Sequence, residues 1–272
     1  MRILVNFHIG DIVTRRSYGG DVYFKVVDIE SNRSEPIYVL KGLLHRLIAD
    51  SKASDLQKHR AIDAFRNIRK ALSESEILMR KRTYKDAIKL NRFRARPGKV
   101  LHIDGDSEFM RRCIKIYDKA GIRSTGKTIN ESEQPKHVRN LLMQEKPDML
   151  VVTGHDSLKK GADYTSVESY STSKYFIECV KEARKYEPNF DKLCIFAGAC
   201  QSYYEMIMTA GANFGSSPAR ILINALDPAL VAEKIAVTDE RIIVTPREIA
   251  DVTISGSDGI GGINTRGHLF IK

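Results

Sequence analysis

The chain has 272 residues, 42% of them hydrophobic and 29% charged, with a formal net charge of +10. That is enough apolar material for one large domain, or a main domain with a small companion, and it excludes a disordered chain. No run of about 18 apolar residues occurs, and the apolar patch in MRILVNFHIGDIV is cut short at Asp11, so neither a membrane span nor a signal peptide is expected. The four cysteines, Cys113, Cys179, Cys194 and Cys200, show no CxxC spacing. Neither a zinc site nor a disulfide framework follows from them, and free thiols in a reducing compartment are expected.

Residues 3–7, 11–16, 21–29 and 36–40 are rich in Ile, Val, Tyr and Phe and are separated by turn signals at Gly10-Asp11, Gly19-Gly20-Asp21 and Ser31-Asn32. They predict short strands of a small SH3-like β-barrel over 1–55, a recognition module with no chemistry of its own. Residues 56–98 follow as a basic helical linker, with no Pro or Gly before Pro97-Gly98 and with Ile62, Phe65, Ile68 and Leu72 at helical spacing. Between 58 and 96, thirteen Lys and Arg stand against four Asp and Glu, so nearly all the net charge lies here. Such a stretch is a solvated connecting helix or a surface for nucleic acid or an acidic partner, and the former is the default.

From Lys99 to the end the pattern alternates. Strands are predicted at 99–103, 121–125, 148–152, 193–197, 220–224 and 241–245. Helices are predicted near 108–120, 134–145, 172–186, 201–210, 228–236 and 246–251. Near-continuous apolar strands between amphipathic helices predict an α/β domain over 99–272, a mostly parallel sheet with helices on both faces. In such sheets the chemistry gathers beyond the carboxyl ends of the strands.

Two of those ends carry reactive side chains. DMLVV is followed by Thr153-Gly154-His155-Asp156, and LCIFA by Gly198-Ala199-Cys200-Gln201-Ser202. A thiol of pKa about 8.5 is only a few per cent thiolate at neutral pH. A neighbouring imidazole supplies the missing base and later protonates a leaving amine. Cys200 is therefore the candidate nucleophile and His155 the candidate base, with the N–H groups of Gly154 and Cys200 as the oxyanion hole. A helix expected directly after Cys200 would favour the thiolate. Cys113, Cys179 and Cys194 sit at core spacing and are expected to be inert. The glycines between 256 and 267 lack the Lys-Ser/Thr ending of a phosphate cradle and suggest a flexible loop. Asn213, Ser216 and Ser217 lie in a Gly-rich loop that could line a substrate groove.

His155 precedes Cys200 by 45 residues, an order and spacing similar to caspase-like peptidases. The blocks LHIDGD (101–106), Glu131–Pro135, VVTGHDS (151–157), SKYF (173–176), IFAGACQS (195–202), AGANFGSSP (210–218) and LDPALVAEKIA (226–236) resemble the YabG family of sporulation-specific peptidases. So does the stretch 9–29. The resemblance implies proteolysis of spore-coat or other spore proteins in the mother cell of an endospore former, with cleavage after basic residues, chiefly Arg; the Cys-His reading calls for no metal or organic cofactor. It also gives the basic segment a second meaning, as a place for self-cleavage at 80–82 and 92–96. An Arg-preferring pocket needs a carboxylate, and Asp104, Asp106 and Asp227 are the candidates. Asp156, beside the base, would orient it or cap a turn. The competing expectation is a nucleic-acid-binding protein that uses the barrel and the basic helix, with the α/β domain as a scaffold.

Overall fold

The computed structural model describes residues 7–31, 35–70, 73, 95–159 and 161–271. The chain divides into two compact units, Met1–Ile77 and Leu78–Lys272.

The first unit is built on five antiparallel strands: β1 (Ile12–Arg15), β2 (Tyr23–Glu30), β3 (Ile37–Gly42), β4 (Ile48–Lys52) and β5 (Leu56–His59), in the order β4-β3-β2-β1-β5. Alternate residues of β2 turn inward, and Phe24, Val26 and Leu40 are fully buried. A helix, α1, covers residues 61–70. Its Ala64 and Ile68 pack with Ile12 and Leu43, while Ile62 and Phe65 are exposed. The expected strand at 3–7 lies almost wholly outside the described residues, as does the expected helix from 71 to 94 apart from Ser73. The sheet runs past the expected limit at residue 55. Its β5, LQKH, pairs along the whole of β1 where a helix was expected.

The second unit opens with β6 (Ala95–Arg96) and then alternates: β7 (Val100–Asp104), α2 (Ser107–Lys119), β8 (Ser124–Thr128), α3 (Gln134–Glu145), β9 (Met149–Thr153), α4 (Ser173–Tyr186), β10 (Cys194–Ala197), α5 (Tyr204–Thr209), β11 (Phe214–Ser216) and α6 (Asp227–Ala236). It ends with β12 (Ile243–Val244), α7 (Pro246–Val252), α8 (Gly256–Gly259), β13 (Ile260–Gly262), β14 (Thr265–Arg266) and β15 (Phe270–Ile271). The central sheet has the order β13-β11-β10-β9-β7-β8, parallel except for β13. Every residue of β7, β9 and β10 is buried, as expected of strands covered on both faces. Leu101, Ile103, Leu150, Val152 and Ile195 pack with Val138 and Leu142 of α3 and Phe176 and Val180 of α4. Each such side chain contributes about 2 kcal/mol when fully buried. Helices α2 and α6 pack together elsewhere on the sheet. No helix among the described residues is long and apolar enough to cross a membrane.

The carboxyl-terminal part departs from the expected pattern. RILIN (220–224) is not a strand of the sheet. That position belongs to β11, whose FGS sequence has little strand character. Nor is the glycine-rich stretch a loop: it forms α8 and then β13, which pairs antiparallel with β11 as the edge of the sheet. The strand expected at 241–245 shortens to β12, which pairs with β14 outside the main sheet. Between β7 and its two neighbours the winding reverses: the chain passes from β7 to β8 on one side and returns as β9 on the other. Crevices at such reversals are where open α/β sheets bind ligands.

Candidate active site

Three strand ends meet at that reversal. Asp104 closes β7 and is sealed from solvent. One of its oxygens accepts the Asp106 N–H at 2.9 Å, and the other lies 3.6 Å from His102 Nε2. Asp106 is the N-cap of α2, with Oδ1 accepting from the N–H groups of Glu108 and Phe109. Its Oδ2 lies 3.2 Å from His155 Nε2. On the other side of the ring, Glu131, from the turn between β8 and α3, places Oε1 3.5 Å from Nδ1 and accepts the His155 backbone N–H at 2.8 Å. The imidazole, 14% exposed, thus stands between two carboxylates.

Burial disfavours the charged ring. The Asp106 and Glu131 carboxylates outweigh it and raise the His155 pKa above its usual value. Burial likewise pushes Glu131 up, but its hydrogen bonds to His155 win and hold it below the usual carboxylate range. Glu131 owes its place to two glycines, since a Cβ on either Gly105 or Gly154 would fall on its carboxylate. Gly154, expected as an oxyanion donor, is thus one wall of the Glu131 site.

Cys200 lies one strand over. The register pairs Ala197 of β10 with Val152 of β9, and Thr153 Oγ1 donates to the Gly198 carbonyl at 2.8 Å, which ties the two ends together. The thiol is fully buried. It donates to the Ile223 carbonyl at 3.6 Å and accepts the Ile223 N–H at 3.3 Å. No hydrogen bond joins the imidazole to the thiol among the described residues. The residues expected as a fifth strand, 220–224, instead lie against the nucleophile candidate. The chain turns sharply after β10, with φ of +111° at Gly198 and +57° at Gln201. A helix does not begin at once: α5 starts at Tyr204 and is only six residues long, so the expected support from its dipole is lacking.

Asp156 does not orient the base. It is buried and ties the two strand ends together. Oδ1 accepts the N–H groups of Ser157 and Thr172, and Oδ2 accepts the hydroxyls of Ser202 and Ser173. Asp227, at the start of α6, is fully buried and accepts backbone N–H groups of Asn224, Ile254 and Ser255. Burial raises its pKa to about 6. It therefore braces the segment that covers Cys200. Ser216 and Ser217, expected at a groove, are buried and bond to the Ala199 carbonyl and the Gln201 N–H. Asn213 is also buried and accepts from the N–H of Ile195 and from Arg184. Cys113, Cys179 and Cys194 are buried, and burial raises the pKa of Cys179 and Cys194, the latter to about 12. Glu131 was not expected here. Its signal was the run Glu131–Pro135 ahead of α3, but only the sheet order brings that turn beside β9.

Residues 8–271 match the family described as YabG peptidase U57. The chain is 38% identical to the sporulation-specific protease YabG of Bacillus subtilis (strain 168), over 98% of each chain. The chain belongs to the YabG peptidase family. It is a protease with a role in sporulation. Within this YabG-family peptidase the three blocks LHIDGD, Glu131–Pro135 and VVTGHDS, far apart in sequence, converge on one imidazole.

Proposed function

We propose that this YabG-family peptidase is a cysteine endopeptidase in which Cys200 is the nucleophile and His155 the general base. The observation that carries the reading is the β9–β10 register. Val152 lies opposite Ala197, so His155 and Cys200, each three residues further on, leave the same edge of the sheet at the same level. Adjacent strands are about 4.8 Å apart.

In the proposed reaction His155 takes the Cys200 proton, and the thiolate attacks the scissile carbonyl carbon. Collapse of the tetrahedral adduct expels the amine, which receives the proton from the imidazolium and leaves a thioester. Water then attacks the thioester, giving a proton to His155, and the carboxylic acid departs as the thiol is restored. The carboxylates beside His155 favour the imidazolium that both steps create. The N–H groups of Gly154 and Cys200 are proposed to receive the oxyanion, and the arrangement is read as caspase-like.

The Ile223 contact covers the thiol, so productive binding requires residues 221–224 to yield. Cleavage after Arg of spore-coat or other spore proteins in the mother cell is proposed from the family. Of Asp104, Asp106 and Asp227, only Asp106 turns an oxygen toward His155, and it is the first choice for the P1 carboxylate. The first unit, an antiparallel sheet with a helix, is read as an SH3-like recognition module.

The test is to incubate the wild type, Cys200→Ala and His155→Ala with an Arg-rich protein, and to treat the wild type with an arginyl chloromethyl ketone. Both variants are expected to lose cleavage, by about a hundredfold or more for His155→Ala. The ketone should form a thioether at Cys200 with loss of chloride. Undiminished cleavage by Cys200→Ala would overturn the assignment.

A further inference from the structure

Glu131 is one of two carboxylates beside His155, and the fold makes room for it at two separate places. Gly105 follows β7 and Gly154 follows β9, and the carboxylate fills the space of both missing side chains. It is largely buried, accepts the His155 N–H and faces Nδ1, so it fixes the backbone and the ring of one residue together. Gln134, three residues on, donates to the carbonyls of Ile129 and Thr153, each at 3.0 Å. The turn that carries Glu131 is therefore fastened to the end of the strand that carries His155.

Asp106 differs in kind. One of its oxygens caps α2, a task separate from the ring. Glu131 serves no helix in this way: the residue before α3 is Glu133, and no side chain caps it.

We propose that Glu131 is the positioning residue for His155, accepting Nδ1–H so that the ring holds one tautomer and turns Nε2 toward the nucleophile. This rests on His155 being the base. Nε2 then alternates between Asp106 and the Cys200 thiol, while Nδ1 stays with Glu131. The other ionisable groups at this edge are Asp104 and Asp106 from β7 and the start of α2, and Asp156 after His155. Asp156 is committed to Ser202, Ser173 and two backbone N–H groups. A carboxylate at Nδ1 also holds the His155 pKa up, in agreement with its raised value.

The experiment has two arms on the full-length chain. In a Cys200→Ala background, which is catalytically silent, the His155 ring is titrated by NMR with and without Glu131→Gln and Glu131→Asp. Loss of the charge should lower the ring pKa by about one unit or more, and Asp should restore part of it. In the active enzyme, Glu131→Gln should lower kcat/KM about 10- to 100-fold through misplacement of the base. It should also move the acid limb of the pH profile to lower pH, and Glu131→Asp should recover part of both. An unchanged His155 titration overturns the inference, whatever the activity. So does a wild-type pH profile for Glu131→Gln while His155→Ala and Cys200→Ala are inactive. Full activity in His155→Ala would instead remove the base assignment, and the positioning role with it.

Discussion

Gly154 was read from the sequence as an oxyanion-hole donor, and the space beside its Cα is taken by Glu131. A methyl group at Gly154 would meet that carboxylate, and one at Gly105 would meet it from the other strand. Forcing extra volume into such a place costs about 1–3 kcal/mol. Gly154→Ala is therefore expected to lose stability in that range and to displace His155, with loss of activity. The two effects should separate in a double-mutant cycle. Adding Glu131→Ala should restore much of the stability, because the clash is gone, but none of the activity. Urea denaturation of the four proteins gives the coupling energy, and additive losses would show that the two residues do not compete for one space. Cys200 and His155 were legible as residues because each stands just past an apolar run. Glu131 was not, because its closeness to His155 depends on β8 lying beside β7 and β9 on the far side, which no local pattern encodes.

At the scale of elements, Asp156 joins the turn after β9 to the turn after β10 and to the start of α4. It accepts four hydrogen bonds while almost fully buried, and burial raises its pKa despite them. Asp156→Ala would leave the hydroxyls of Ser202 and Ser173 and two N–H groups without their acceptor. A loss of about 3 kcal/mol is expected, because each buried donor left unsatisfied costs about 1–3 kcal/mol. Asp156→Asn keeps one acceptor oxygen and should lose less. Chemical denaturation would check the ranking, and equal losses would show that the carboxylate, not the oxygen count, matters.

The same scale explains which elements the sequence announced. VLHID, MLVVT and CIFA are apolar runs bounded by turns, and α3 appeared at its expected limits. The polar IADSK and LQKH were missed because β4 and β5 lie at the edges of the first sheet, where half the side chains face solvent. RILIN misled because this apolar run lies outside the sheet, with the Ile223 backbone bonded to the Cys200 thiol and the Ile223 side chain fully buried. The three residues of β11 are Phe-Gly-Ser, and their glycine admits the Tyr204 ring against the strand. Close packing by a neighbour, not intrinsic propensity, makes that stretch a strand.

For the whole molecule, the question is where the chain would cut itself if it prefers Arg. Arg92, Arg94 and Arg96 all precede β7, and Arg96 is engaged in the fold. Ala95 and Arg96 form β6, paired with Ile271 and Phe270 of β15, so the last strand of the unit holds its first. Arg96 also bonds to Asp148 at 3.0 Å and stacks over Phe270 at 4.3 Å, and Gly98 donates to the Ala236 carbonyl. A peptidase needs its substrate extended and unpaired, and the bond after Arg96 lies in a paired segment with its side chain engaged. Self-cleavage is therefore expected at or upstream of Arg94, which would release a fragment that keeps β6 and the contacts closing the unit. Intact-mass and amino-terminal analysis of wild type against Cys200→Ala checks this. The wild type should yield a fragment that starts at residue 95 or earlier, and the variant should stay whole. A product that starts at Pro97 would show that β6 opens readily, and identical intact masses would remove self-cleavage altogether.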